Sequence, residues 1–180
     1  MRSKIVAATM MLGFGTVIVV GAPTLAQAQT ARDIPQSIRL QHQEDEAALA
    51  DLSRRPAPVG PAAKAALDLL RQHHQREADY ILPPLTLLPQ IADGKVTPDM
   101  KWAVTMADQV KANREEIFQE HAKITDAMNT LLQAAEQAHN TAAAEFARGA
   151  VADSLEDMEL EEPMTIVIGD YLRSKLPATP

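Results

Sequence analysis

The sequence predicts an all-α protein: an antiparallel up-down-up-down four-helix bundle preceded by an N-terminal signal peptide. Three observations lead to this fold class. Apolar residues recur at alternating spacings of three and four in four long segments, the pattern of helices that bury one face. Short breaks bearing Pro and Gly separate those segments. Finally, aromatic residues make up only 3% of a chain rich in Ala, Leu, Gln and Glu, which is typical of helical bundles.

The first 28 residues are predicted to be an export signal. Arg2 and Lys4 form a basic start, residues 5–22 are almost entirely apolar, and residues 26–28 read Ala-Gln-Ala. This small-x-small triplet is the type of site that signal peptidase cleaves. An uncleaved membrane anchor is the alternative, because the apolar run approaches membrane-spanning length. We expect cleavage, a periplasmic or secreted location, and no stable membrane association afterwards.

The composition of the mature chain narrows the possible functions. There is no cysteine, which excludes disulfides, thiolate metal sites and lipid attachment through an N-terminal cysteine. Removal of residues 1–28 leaves 15 basic and 24 acidic residues, a net charge of −9. This charge argues against nucleic acid or an anionic membrane as a partner and is compatible with cation binding. About 150 residues suffice for one domain with its own core.

Residues 29–36 are predicted to be a linker and residues 37–176 to form the bundle. The helices are predicted at residues 37–53, 61–81, 97–138 and 141–175, with segment 85–91 packed over one end. Pro163 lies inside the fourth pattern and should kink that helix. The predicted inward faces include Ala66, Leu69, His73, Glu77 and Tyr80 in the second helix. In the fourth they include Phe146, Ala150, Asp153, Asp157, Leu160, Met164 and Val167.

Six ionisable residues fall on the predicted inward faces, and every helix contributes. They are His42 from the first helix, His73 and Glu77 from the second, His121 from the third, and Asp153 and Asp157 from the fourth. Residues four apart are neighbours on a helix, and an uncompensated charge in a core is costly. Because all the donors are nitrogen or oxygen, the set suits iron, manganese or zinc. The sequence therefore predicts a metal site in the bundle core.

Each of these residues also has an ordinary structural interpretation. A single inward histidine is more often a hydrogen-bonded core residue than a metal ligand, and the two aspartates could belong to a solvated acidic face. The convergence of all four helices favours the metal site. His74 and His139 fall off the predicted inward faces and are expected to face solvent, while Asp45 and Glu46 beside His42 are ambiguous.

At these residues the sequence resembles the hemerythrin-like (HHE cation-binding) family. The first-helix histidine of the family matches His42 within residues 38–44. Its second-helix motif, His-x-x-x-Glu followed by an aromatic residue, Leu and Pro, matches residues 73–85. The Glu-His pair of its third helix matches residues 120–121. The resemblance covers about residues 35–175, and it implies a four-helix bundle that holds non-haem iron.

The fourth helix departs from the family pattern. The family's His-x-x-x-Glu motif begins ten residues before a Pro, which here is Pro163. Asp153 stands where the family has His, and the shorter Asp157 replaces the Glu four residues later. Ala78 and Glu46 stand where relatives carry a further acid or histidine. Three histidines and three carboxylates could still hold two metals, since carboxylates bridge. This set has fewer nitrogen donors than the family's set. It therefore favours a one-metal, oxygen-rich or degenerate site over a site that binds dioxygen reversibly.

The leading functional hypothesis is therefore an exported hemerythrin-like protein that binds iron, as a mono- or di-iron site, or another divalent metal. The resemblance implies a role in metal handling or in oxygen or oxidant sensing, with dioxygen as a candidate ligand. No phosphate-binding loop, redox thiol or Ser-His-acid motif is visible in the sequence, so we expect a non-enzyme. A metal-free helical scaffold or interaction protein is the first alternative, and a di-metal oxidase is the second.

Overall fold

The computed structural model describes residues 32–177, and every regular element in that range is helical. The predicted signal peptide lies outside the described residues. The α-helices are α1 (Gln36–Leu52), α2 (Val59–Arg76), α3 (Leu88–Ala92), α4 (Lys101–Gln137), α5 (Thr141–Glu156) and α6 (Glu162–Lys175). The prediction of an all-α protein is confirmed. Across the described range, no helix combines the length and the apolar character needed to cross a membrane.

The helices pack around α4, which contacts α2, α5 and α6, while α1 packs against α2. Two apolar clusters occupy the two ends of this arrangement. One includes Leu49 and Leu131, and the other includes Leu85 and Leu172. Leu85 and Leu87 are buried in the second cluster, in agreement with the prediction that segment 85–91 packs over one end.

A polar layer interrupts the apolar core between these ends. Along α2 and the turn after it, Leu70 and Ile81 bracket the buried residues His73 and Glu77. Along α4, Ile117 and Ile124 bracket His121 in the same way. Such a layer replaces hydrophobic contacts with ionisable groups, which is costly for stability. It is therefore a candidate functional site.

Two π-helical turns extend the helices next to this layer. The first, Glu77–Ile81, follows α2, and the amide of Leu82 donates to the carbonyl of Glu77 across 2.9 Å. The second, Asp157–Glu161, joins α5 to α6. Pro83 and Pro163 each stand two residues after the end of one of these turns. Proline has no N–H and clashes with the carbonyl four residues before it, so a wider turn accommodates it.

The π-helical turn in the fourth helical segment makes one part of the predicted inward face wrong. Leu160, Met164 and Val167 were expected inside, but they are 54%, 39% and 59% exposed. Each is followed by a more buried neighbour, and Thr165 and Ile168 fill the core instead. A π-turn holds more residues per turn than an α-helix, so the face beyond it rotates by about one residue.

The π-helical turn after α2 also rotates the buried face, but by less. Tyr80 was predicted on the inward face, yet it is half-buried, and Ile81 occupies the core with 1% exposure. The hydroxyl of Tyr80 lies 3.4 Å from a guanidinium nitrogen of Arg76. Arg76 in turn forms ion pairs with Glu116 and Glu120 of α4.

Candidate metal centre

Glu77 lies at the centre of the polar layer, between two histidines. Its side chain is 2% exposed. One carboxylate oxygen, Oε1, is 3.0 Å from Nε2 of His73, and the other, Oε2, is 3.3 Å from Nε2 of His42. The i, i+4 spacing on a helix brings His73 beside Glu77, while the packing of α1 on α2 brings His42 to the far side. The structure thus brings two of the predicted histidine ligands, His42 and His73, to the carboxylate of a third predicted ligand, Glu77.

His74 is also part of this layer, so the expectation that it faces solvent is wrong. The residue is only 9% exposed, its ring stacks on that of His42 at a centroid distance of 3.7 Å, and its Nδ1 lies 3.1 Å from Oε1 of Glu46. Consecutive residues on a helix point about 100° apart. Because α2 packs against both α1 and α4, it can bury side chains in two directions. His73 therefore faces α4 while its neighbour faces α1. His139, by contrast, is exposed as expected.

A sequence signal for His74 did exist. Buried residues of α2 also follow the series Ala63, Leu67, Leu70 and His74 at spacings of four, three and four. That series is as regular as the one that contains His73. Glu46, which was ambiguous in the sequence, bonds both Arg71 and His74.

His121 is buried as predicted, but both of its ring nitrogens contact residues other than Glu77. Nδ1 lies 2.9 Å from the hydroxyl of Ser154, and Nε2 lies 3.0 Å from Oε1 of Glu162. The ring meets that of His73 edge-on at 4.3 Å. The structure thus assembles a Ser-His-acid arrangement that the sequence gave no reason to expect. Ser154 is 6% exposed and lines a small internal cavity.

The remaining predicted ligands, Asp153 and Asp157, line that internal cavity. It measures about 30 Å³, and its walls also include Asp45 and the three histidines 42, 73 and 74. This volume holds about one water molecule. Asp157 lies within reach of His73 and Glu77. Asp153 is not among the residues whose donor atoms converge with those of Glu77, so it belongs to the wall of the cavity.

The electrostatics of the layer leave several donors in the state that a metal requires, since metal ligands must be deprotonated. Burial, together with the neighbouring His74, lowers the pKa of His42 to about 4. Burial alone would raise the pKa of Glu77, but the nearby histidines outweigh it and hold that pKa below its usual value. His73 is the exception: burial alone would lower its pKa, but the neighbouring Glu77, assisted by Asp157 and Glu120, outweighs burial and raises that pKa above its usual value.

Several buried polar atoms of the layer have no well-aligned hydrogen bond among the described residues. Both ring nitrogens of His73 and Oε2 of Glu77 are buried, and none of them has a well-aligned hydrogen bond among the described residues. The nitrogen and carboxylate of this pair are close, at 3.0 Å, but they are not aligned as donor and acceptor. Buried polar groups are normally paired, and a metal ion would satisfy these.

Two sets of donor atoms each converge within 4.8 Å, and both contain Glu77. One set is His42, His74 and Glu77, and the other is His73, Glu77 and Asp157. Donors around one first-row metal lie about 2.0–2.2 Å from the ion and hence about 3–4 Å apart. Small side-chain movements would therefore bring either set into a coordination sphere.

Comparisons with protein-family models, with curated proteins and with solved structures found no significant match to this chain.

Proposed function

We propose that this protein binds metal ions in a helical core, as a divergent relative of the hemerythrin-like class. The observation that carries the proposal is the sharing of Glu77 by two sets of converging donors. Its two oxygens face different histidines, His42 and His73. A carboxylate in this position can bridge two metal ions, with His42 and His74 serving one position and His73 and Asp157 serving the other.

The donor set supports a first-row metal, and iron is the metal we propose, with manganese or zinc as substitutes. Bound iron would supply reversible redox chemistry and affinity for dioxygen or related oxidants. The protein's own contribution is to hold the donors and to limit access. The adjoining cavity has a volume of about 30 Å³, which is enough for a water-sized molecule. These features favour metal handling or oxidant sensing over turnover of a larger substrate.

The finer architecture and the location belong to the same proposal. We propose that the segments α1, α2, α4 and α5–α6 form an antiparallel up-down-up-down four-helix bundle, and that residues 1–28 direct export to the periplasm or medium. Intact-mass measurement on the exported protein tests the second point. The expected mature chain begins near Gln29, whereas a full-length chain in the membrane fraction would support an uncleaved anchor.

A metal-free scaffold is the second candidate, and one observation favours it. His121 is fully bonded by Ser154 and Glu162 without a metal, and His74 already pairs with Glu46. If every histidine were satisfied in this way, the polar layer would need no cation. The unbonded nitrogens of His73 and the unbonded oxygen of Glu77 argue the other way.

A matched pair of substitutions tests the assignment of His74 to the metal centre. His74→Asn removes a donor from the His42 side and is expected to lose one of two metal positions while the His73 side remains. His139→Asn is the control, because His139 is exposed and has a positive φ of 52°, a conformation that Asn tolerates. Metal content is measured by elemental mass spectrometry after loading and desalting. Equal metal content in the two variants would contradict the assignment of His74.

A further inference from the structure

The outer face of α6 is apolar over its first two turns. Residues 163–169 contain no charged side chain. Met164 and Val167 are 39% and 59% exposed, and Ile166 is half-buried. A helix on a protein surface normally presents charged or polar residues to solvent. The side chains facing outward here instead resemble those of a helix that is covered on both sides.

This face carries a ridge and a groove side by side. The apolar ridge consists of Leu160, Met164 and Val167, which follow one another at spacings of four and three. The apolar groove lies between α4 and α6 and has a volume of about 300 Å³. Its lining residues are Arg114, Phe118, Met158, Glu162, Pro163, Ile166 and Val167.

Exposed apolar side chains are concentrated in this region. Among the described residues, seven large apolar side chains are exposed, and five of them belong to the ridge, to the groove or to the end of α5: Phe118, Leu155, Leu160, Met164 and Val167. Single exposed apolar residues are ordinary. A contiguous group marks a surface that binds something.

We propose that this surface is the interface with a second copy of the chain, in which the ridge of each copy lies in the groove of the other. A two-fold axis pairs the same patch on both subunits, so a self-complementary patch is required. A ridge beside a groove on one helix meets that requirement. A small molecule in the groove would leave Leu160 and Met164 uncovered, which makes it a poorer explanation of the whole surface.

The charges at the edge of the surface are also self-complementary. Arg114 lies at the rim of the groove, and Glu159 precedes the first ridge residue. Neither side chain has a hydrogen-bond or ion-pair partner among the described side chains. In a two-fold dimer that places ridge in groove, the arginine of one subunit and the glutamate of the other come to the same edge. Such rim charges favour correct association.

Sedimentation of the mature protein tests the interface. The wild type is expected to be a dimer at a concentration of about 10 µM, which corresponds to a modest association free energy. Val167→Glu places a charge on the ridge and should give a monomer with unchanged helicity. Leu88→Glu is the matched control, since Leu88 is exposed at 39% but lies on α3, and it should remain a dimer.

Charge reversal supplies an independent measurement. Arg114→Glu and Glu159→Arg should each weaken dimerisation about tenfold, and the double reversal should recover most of the loss. A monomeric wild type would overturn the proposal. It would do so even if a small apolar ligand or another protein were then found to bind the groove. A dimer that survives Val167→Glu, or that Leu88→Glu disrupts equally, would overturn it as well. Metal content should be the same in all these proteins, so this outcome is separate from that of the metal site.

Discussion

Glu77→Gln is expected to abolish metal binding at both positions, the largest functional effect of any single substitution in this protein. Glutamine has the shape of glutamate but lacks its charge, and an amide cannot bridge two cations as a carboxylate does. Both converging donor sets contain Glu77, so neither retains its anionic ligand at the centre. We expect metal affinity to fall by more than about 100-fold, beyond the loss typical of residues that only support a ligand.

Equilibrium dialysis followed by elemental analysis measures this loss. Glu115→Gln is the control, because Glu115 is an exposed carboxylate on α4 that bonds only Gln119 among the described residues. Thermal unfolding gives a second readout. At a free metal concentration 100 times the Kd, the wild type should gain about 2.7 kcal/mol of stability, and the Glu77 variant should gain almost none. Full metal retention by Glu77→Gln would show that the donors do not converge on a cation.

Gly169→Ala is expected to destabilise the protein by forcing α4 and α6 apart. A Cβ at Gly169 would lie 2.1 Å from the Cβ of Ala107, so α4 and α6 would have to separate. Overpacking of this kind costs about 1–3 kcal/mol. The separation would also disturb the contact of His121 with Glu162, which joins the same two helices across 3.0 Å.

Gly149→Ala provides a control with the opposite expected sign. A Cβ at Gly149 meets no atom within 4 Å, and this residue lies inside α5. Replacement of a helical glycine by alanine in open space should stabilise the protein by about 0.5–1 kcal/mol. Urea unfolding of both variants measures the difference. Equal stabilities would contradict the close approach of α4 to α6.

The helices could be predicted from the sequence because two strong local rules agree. The three–four spacing of apolar residues defines the helical segments, and Pro or Gly residues stand at the breaks between them. Observed ends of the long helices lie within a few residues of the predicted ones: α1 spans Gln36–Leu52 against a predicted 37–53. Inward placement of His73, Glu77 and His121 followed from the same periodicity and is confirmed by their burial.

The outer face of α6 could not be predicted from that periodicity. A pattern counted at 3.6 residues per turn assumes an unbroken α-helix, and the π-helical turn Asp157–Glu161 violates this assumption. Pro163 signalled an irregularity, but a kink and a wider turn are both responses to proline. Only the wider turn moves Leu160, Met164 and Val167 from the core to the surface.

The place of His74 was missed for a different reason. The sequence pattern assigned one narrow inward face to α2, as suits a helix with one neighbour. In the fold α2 contacts both α1 and α4, so it buries two adjacent columns of residues. Long-range pairs such as Glu46 with His74 and Ser154 with His121 depend on the tertiary arrangement and leave no mark in local spacing.

Metal stoichiometry of the mature protein tests the central claim most directly. The protein is stripped with a chelator, incubated anaerobically with ferrous iron or with zinc, desalted, and analysed for metal per chain. The shared position of Glu77 between two donor sets predicts up to two tightly bound ions per chain. A protein that remains folded and retains no metal under any of these conditions would contradict the proposed metal centre.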